Sequence, residues 1–534
     1  MEEEAEKNME FDTILEQYVG GGGKWQWRKL FIWLAPVHVA CGVPLLLHLF
    51  TAYAPSHRCY IEGCDSPLTQ DFHADFLKFS TPTDHASSTF LRDAEDYDPC
   101  QTFVHQSSLC HPRAFDRTTK ENCSRYVYDS SEFSETLATK LDLVCDKVNV
   151  RHSLGSIMML GLLTGSLLGG PLSDKIGRKN AILAAIMISV PCTIGGGFVQ
   201  DFATYAILRY ISCTAIVFGW IGHQALKMEY FSRDKRTVVI ALDALLAIIL
   251  SLVNPLIAYF HRDWQSMHIW AGAVCLLALP WVLFGAPESA RWLIANNRSR
   301  QAEAILKDIA QGNGKALDEE QWTKIRDILN HLGGGAKNKV VRTKRLNFID
   351  MFSPSLRQIT LILILNWVIS IVTAYALVLN MNALAGDVFI NYVLMEIIRA
   401  PGELAAYYFM VKIGRQRSLA AFMFGQGLFA LGLAFLPKSN SALILTTFLM
   451  AKTCASGTQS VLWLYTAELY PTNLRSQSIG VCSTISRYFP IIKLSIHIHF
   501  LFCVGFSGCP RLIWVNWPEF GPLCPWCFWE LHLF

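Results

Sequence analysis

Runs of about 20 apolar residues, each long enough to cross the ~30 Å hydrocarbon core of a bilayer as a helix, recur along this chain between short polar turns. The first covers residues 30–53. A polar stretch follows to His152, and five runs then come in close order at 153–172, 181–200, 203–226, 238–260 and 267–285. A charged segment interrupts before further runs at 359–380, 388–410, 419–436, 442–464 and 478–506. The pattern predicts an all-α membrane protein: residues 1–29 as an amino-terminal segment, 30–285 as a first six-helix half, 286–357 as a linker bundle, and 358–506 as helices 7 to 11 of a second half. Within the linker, helices are expected from Arg300 to Ala310 and from Glu319 to His331, before a basic stretch near Lys344 suited to the inner leaflet. Residues 507–534 form a hydrophobic tail rich in Trp, Pro and Cys, whose prolines disfavour a regular twelfth helix.

Composition agrees with this reading. With 52% hydrophobic and 17% charged residues, the chain carries more apolar surface than a soluble protein hides. A net charge of +3 gives no reason to expect nucleic acid as a partner. Where the cations sit is more informative. Lys175, Arg178 and Lys179, then Arg233, Lys235 and Arg236, then Lys339, Arg342, Lys344 and Arg345 all fall on one side of the predicted spans, the side expected to be cytoplasmic. The amino terminus is then inside, and 54–151 form an outer loop. Met1 to Gly23 is acidic and then glycine-rich, so no cleavable signal peptide is expected.

The outer loop holds Cys59, Cys64, Cys100, Cys110, Cys123 and Cys145, an even number suited to a disulfide framework whose pairing the sequence leaves open. Asn122-Cys123-Ser124 is a glycosylation sequon. The cysteine spacings lack the Cys-x-x-Cys and histidine pattern of a zinc site, so no metal is expected.

Two motifs are repeated. Gly170-Pro-Leu-Ser-Asp-Lys-Ile-Gly-Arg-Lys179 makes a glycine-rich basic turn, and its Ile176-Gly177-Arg178 returns as Ile413-Gly414-Arg415, 237 residues later. Glu229 followed by Arg236 returns as Glu468 followed by Arg475, 239 residues later. Two unrelated features with nearly one offset predict parallel, pseudo-symmetric halves. Asp174, Arg178, Glu229, Arg236, Glu468 and Arg475 are expected to form a charged latch that closes and opens with the halves.

Further segments carry a resemblance: Phe11-Asp-Thr-Ile-Leu15, Gly23-Lys-Trp-Gln26, Leu141-Asp-Leu-Val-Cys-Asp146, Pro287-Glu-Ser-Ala-Arg-Trp-Leu293 and Tyr465-Thr-Ala-Glu-Leu-Tyr-Pro-Thr472. In these the chain resembles the organic cation, organic anion and carnitine transporter family of the major facilitator superfamily. The resemblance implies the major facilitator fold and uptake or exchange of small charged organics across the plasma membrane, without a cofactor. It also implies a continuation beyond Arg487 that this chain does not follow. An alternative transcript or gene-model error is therefore expected there, with retention in the endoplasmic reticulum or loss of activity as consequences. Early in helix 11 the family tends to have aspartate in cation carriers and arginine in anion and carnitine carriers; Arg487 matches that position and leans the substrate towards an anion or zwitterion. In helix 8 the family usually has a carboxylate where this chain has Arg399 before Pro401. Glu396 and Glu403 lie within one turn of Arg399 and can neutralise it.

Other candidates for contact with substrate are Lys452, Trp367, Tyr375, Gln224, Trp220 and His223, whereas His38 and His48 read as packing histidines. An organic cation transporter is the alternative reading, and a truncated, non-transporting regulator of a full-length partner is the second. An enzyme is not expected, because the chain contains no His-Glu-x-x-His, no Gly-x-Ser-x-Gly and no phosphate-binding Gly-x-x-x-x-Gly-Lys-Ser/Thr loop.

Overall fold

The computed structural model describes residues 11–65, 72–82, 97–105, 110–232, 234–338, 351–354, 356–379, 387–436, 440–470, 478 and 480–487. The first half consists of α1 (Lys24–Thr51), α2 (Cys145–Ile176), α3 (Arg178–Gly196), α4 (Phe202–Tyr230), α5 (Val238–Phe260) and α6 (Trp264–Gly285). The second contains α7 (Arg357–Leu379), α8 (Val388–Ile397, continued by Arg399–Lys412), α9 (Arg415–Phe435) and α10 (Ser441–Leu469). Residues 480–487 are the described part of an eleventh helix. Helices α1 to α7 are each long and apolar enough to cross a membrane. Arg475, the basic stretch near Lys344, the rest of helix 11 and the tail lie outside the described residues.

Local chemistry sets where these helices begin. Asp201, Asp263, Asp387 and Asn440 each precede a helix (α4, α6, α8 and α10) and accept a hydrogen bond from a backbone N–H of its first turn, satisfying donors that a helix start leaves unpaired. Helices α3 and α9 instead begin after glycines in the left-handed region, Gly177 at φ +102° and Gly414 at φ +85°. Such a backbone reverses the chain within one residue, and a side chain there would be strained. Helices α2 and α4 approach closely along Gly161, Gly165 and Gly169, where a methyl group would run into Cys213, Thr214 and Ile221. Small residues at a helix contact are how lipid-embedded helices gain van der Waals packing.

The halves meet along α5 and α8. Ser251 donates to Glu396 at 2.8 Å and Asn254 to Tyr392 at 3.4 Å, while Ser166 of α2 lies 3.0 Å from Thr484 of helix 11. At the end facing the cysteine-rich loop, aromatic rings close the seam. Phe50 stacks on Phe389 with centroids 5.9 Å apart and tilts against Tyr392 at 5.2 Å, while Phe133 and Tyr259 pack on Phe389 at 5.3 and 5.7 Å.

The loop itself carries two small antiparallel pairs: β1 (His57–Cys59) with β4 (Tyr126–Tyr128), and β2 (Gln101–His105) with β3 (Phe115–Asn122). Its six cysteines pair as Cys59–Cys123, Cys64–Cys110 and Cys100–Cys145. Asn122 is exposed at the end of β3. Within the loop, Tyr128 donates to Asp142 at 2.9 Å, and burial together with that carboxylate pushes its phenol up.

The linker bundle comprises helices Ala290–Ala295, Ser299–Gly312 and Glu319–Asn338, the last two running slightly beyond the bounds the sequence predicts. Hydrogen bonds from Arg326 and Lys307 hold the Glu303 carboxyl down to about 2, joining the two longer helices. The amino-terminal segment sews this bundle to the first half. Asp12 pairs with both Arg236 and Arg291, Trp25 donates to Asp308 at 2.8 Å, and Asn313 donates to the Val19 and Gly20 carbonyls.

Candidate functional site

The glycine-rich basic turn between α2 and α3 is built against the linker. Glu288 accepts from the backbone N–H groups of Arg178 and Lys179 at 3.0 and 3.2 Å, placing a carboxylate on the positive end of α3. Gly177 makes this possible, since a methyl group there would come within 2.4 Å of Glu288 Oε2. Trp292 donates to the Asp174 carbonyl at 2.7 Å. The Pro287–Leu293 motif and the glycine-rich turn, two separate patterns in the sequence, are therefore halves of one junction.

The charges named for a latch pair inside each half. Arg178 bonds Asp174 and reaches Glu229 at 3.4 Å. Arg415 pairs with Glu468 at 3.1 Å, which is the same arrangement one repeat later. Arg236 turns away from Glu229, pairing with Asp12 at 3.0 Å and donating to the Met228 and Phe231 carbonyls. The partner of Glu468 among the described residues is thus Arg415; Arg475 lies outside them.

The substrate candidates fall into four environments. Trp367 is fully buried in the second half, donating to Thr466 at 3.0 Å and packing edge-on to Trp463, which is a packing position. Arg399 bonds Glu396 at 2.7 Å, and Glu396 also accepts from Ser251 across the seam. Lys452, buried on α10, is an electrostatic neighbour of the same pair. Glu403, in turn, accepts from Ser460. Arg487 differs from these. Its Nε is buried without a hydrogen-bond partner, and its electrostatic neighbour is Tyr375. Tyr375 packs against Met158, Leu162 and Val217 of the first half, so Arg487 and Tyr375 stand where the halves meet. Trp220 and Gln224 are partly exposed on α4.

A further cluster was not apparent from the sequence. Asp243 on α5 accepts from His38 Nε2 of α1 at 2.8 Å and pairs with Lys227 of α4, and all three are at least nine-tenths buried. His38 is therefore part of an ionic network and not a simple packing histidine. The apolar window 203–226 stops one residue short of Lys227, while α4 continues to Tyr230, so a buried cation read as a flanking one. Asp243 was visible as a lone acid inside an apolar run, the signal that marks a paired intramembrane charge.

Comparison with known proteins follows the same lines. Residues 148–492 match the family model of the Major Facilitator Superfamily. Solute carrier family 22 member 7 of Homo sapiens is 28% identical over 490 residues, 90% of this chain and 86% of the relative. Solute carrier family 22 member 20 of Mus musculus is 27% identical, covering 90% and 84%, and the organic cation transporter-like protein of Drosophila melanogaster is 25% identical, covering 88% and 82%. Among solved structures, a partially occluded inward-open form of the xylose transporter XylE from E. coli aligns over 90% of this chain and 97% of its own, with a TM-score of 0.55 and 14% identity. A family match over most of the chain, this shared fold and the ion pair repeated in both halves lead to one assignment: the chain belongs to the major facilitator superfamily, with members of solute carrier family 22 among its relatives.

Proposed function

We propose that the chain carries small organic anions or zwitterions, carnitine-like in charge, across the plasma membrane by alternating access, with Arg487 as the carboxylate-binding residue. At the coarser level it is a multi-pass membrane transporter of organic ions and not an enzyme, as its relatives and fold establish. The preference for an anion rests on the contrast between two arginines. Arg399 has its charge offset by Glu396 2.7 Å away, whereas Arg487 holds a buried Nε with no partner. Among the described residues no carboxylate is its electrostatic neighbour; a buried guanidinium so placed is costly, and a substrate carboxylate can satisfy it. The aromatic closure at the loop end supports a cycle in which the opposite mouth opens while this one is sealed. Basic turns around Arg178 and Arg236 support a cytoplasmic amino terminus.

The test is uptake by purified protein in liposomes with labelled glutarate, carnitine and tetraethylammonium. Glutarate and carnitine should enter and tetraethylammonium should not. Arg487→Asp should lower glutarate uptake roughly 10- to 100-fold, the loss of one hydrogen-bonded charge pair, and admit tetraethylammonium. Wild-type uptake of tetraethylammonium alone would establish the cation reading, and uptake of none of the three would favour a non-transporting regulator.

A further inference from the structure

We infer that His38, His223, Lys227 and Asp243 form a proton-binding site inside the first half, and that a proton loaded there travels with an organic anion. The inference rests on the transporter reading above and adds a coupling ion to it. Three helices contribute: His38 from α1, His223 and Lys227 from α4, and Asp243 from α5. Among the described residues these are the titratable and charged groups that face one another in the cluster.

Asp243 is shared. One carboxylate oxygen takes the Lys227 ammonium and the other takes His38 Nε2, so the His38 proton sits on Nε2 and its other nitrogen is free to act as a base. His223 lies edge-on to His38, with ring centroids 5.0 Å apart, and is fully buried with no hydrogen-bond partner on either ring nitrogen. An imidazole buried with both nitrogens idle forfeits hydrogen bonds it would keep in water. Nothing in packing requires it, since a leucine fills similar space. Together with His38 it offers two basic nitrogens beside a carboxylate.

The charge balance identifies the ligand. Lys227 and Asp243 cancel, so the ion pair carries no net charge and the two imidazoles are the groups that can take up a proton. A metal dication here would lie against the Lys227 ammonium already seated on Asp243. A single proton asks less: it adds one positive charge, delocalised over an imidazolium that Asp243 already faces. That charge is tolerated in a buried site when an anion arrives nearby. Trp220, itself partly exposed on α4, packs on the cluster, its ring 5.1 Å from His38, 5.5 Å from His223 and 6.0 Å from the Lys227 nitrogen. A substrate carboxylate on the far side of Trp220 favours the protonated cluster, and by reciprocity the protonated cluster favours the carboxylate. The step balances simply: one proton leaves the outer solution, binds an imidazole nitrogen, and is released inside with the anion, so that a monoanion moves without net charge and a doubly ionised dicarboxylate such as glutarate moves with one negative charge.

In liposomes made with equal internal pH, acidifying the outside by one unit should drive labelled glutarate uptake up by about tenfold, the ceiling for one proton per solute, and a trapped pH dye should report internal acidification when glutarate is added. His38→Gln and the neutral pair Lys227→Met with Asp243→Asn, each checked for a monodisperse elution profile, should lose both responses. Glutarate counterflow in the wild type without acid-driven uptake or acidification would overturn the proton site while leaving the transporter reading intact. Absence of counterflow would remove the transporter reading instead. In that event potentiometric titration of the solubilised protein between about pH 5 and 8, the range in which histidine changes charge, still decides. Replacing His38 and His223 together by glutamine should remove about one bound proton, and no change would sink the site.

Discussion

The reversal between α2 and α3 and its repeat between α8 and α9 share the Ile-Gly-Arg sequence, a left-handed glycine and an arginine–glutamate pair, yet their surroundings differ. Around Gly177 the linker supplies Glu288 and Trp292, leaving no room for a side chain. Around Gly414, among the described residues other than its chain neighbours, no atom lies within 4 Å of where a Cβ would be. The same divergence holds deeper in the halves. Lys227 and Thr466 stand 239 residues apart, the repeat offset, and each joins the fourth helix of its half to the first. In the first half the link is ionic, through Asp243 to His38; in the second it is a neutral bond from Trp367. The repeat thus preserves the backbone and its ion pair, while the link at this position is ionic in the first half and neutral in the second, and the first half is sewn to the linker and amino terminus.

The largest contrast should appear on breaking the buried links. Asp243→Ala leaves Lys227 buried without its counter-charge and should cost about 3–5 kcal/mol. Thr466→Ala leaves only the Trp367 indole N–H unpaired and should cost about 1–3 kcal/mol. Thermal unfolding of the solubilised protein ranks the two. Replacing Lys227 by Met and Asp243 by Asn together should recover most of the loss, because the unpaired charge disappears. Equal costs for Asp243→Ala and Thr466→Ala would show that the network contributes nothing beyond a hydrogen bond.

Next in size is the covering of the turn. Gly177→Ala combines a strained backbone with a 2.4 Å approach to Glu288, and should destabilise by about 2–4 kcal/mol, taking the strain together with the displaced carboxylate. Gly414→Ala meets strain alone, about 1 kcal/mol. Pairing Gly177→Ala with Glu288→Ala removes the steric part and should bring its cost down towards that of Gly414→Ala. If the two glycines respond alike from the start, the junction with the linker does not constrain the turn.

The order of the described helices was legible because lipid admits few ways to satisfy a backbone, so length and apolarity go far to locate the spans. The repeat was legible for a different reason: Gly177 and Gly414 are required by backbone conformation, which leaves a mark in the sequence wherever the turn recurs. Pairing was less accessible. Glu468 pairs with Arg415, 53 residues away, a partner that proximity in sequence does not suggest. The Lys227 network was hidden by a window edge, and the aromatic closure through Phe50, Phe389 and Tyr392 by the frequency of aromatic residues at span ends, where most need no partner. Disulfide pairing depended on the loop's strand register, as with Cys59 and Cys123 flanking the β1–β4 pair, and no count of cysteines contains that.

The smallest expected effect concerns the repeated ion pair itself. Arg178 and Glu229 have side chains 14% and 19% exposed, while Arg415 and Glu468 are 41% and 42% exposed. Water screens the second pair more, so a double-mutant cycle with Arg415→Ala and Glu468→Ala should give a coupling of about 0.2–1 kcal/mol. The half-buried first pair, with Asp174 also on the arginine, should exceed that, at roughly 1–2 kcal/mol. Transport adds a second reading of the same cycle. Glu468→Arg should slow glutarate uptake if the pair fixes the start of α9 during rocking, and Arg415→Glu in the same chain should restore it, since the pair is re-formed with its signs exchanged. Uptake unchanged by Glu468→Arg would reduce the pair to a surface contact and leave the covered turn of the first half as the one that shapes the cycle.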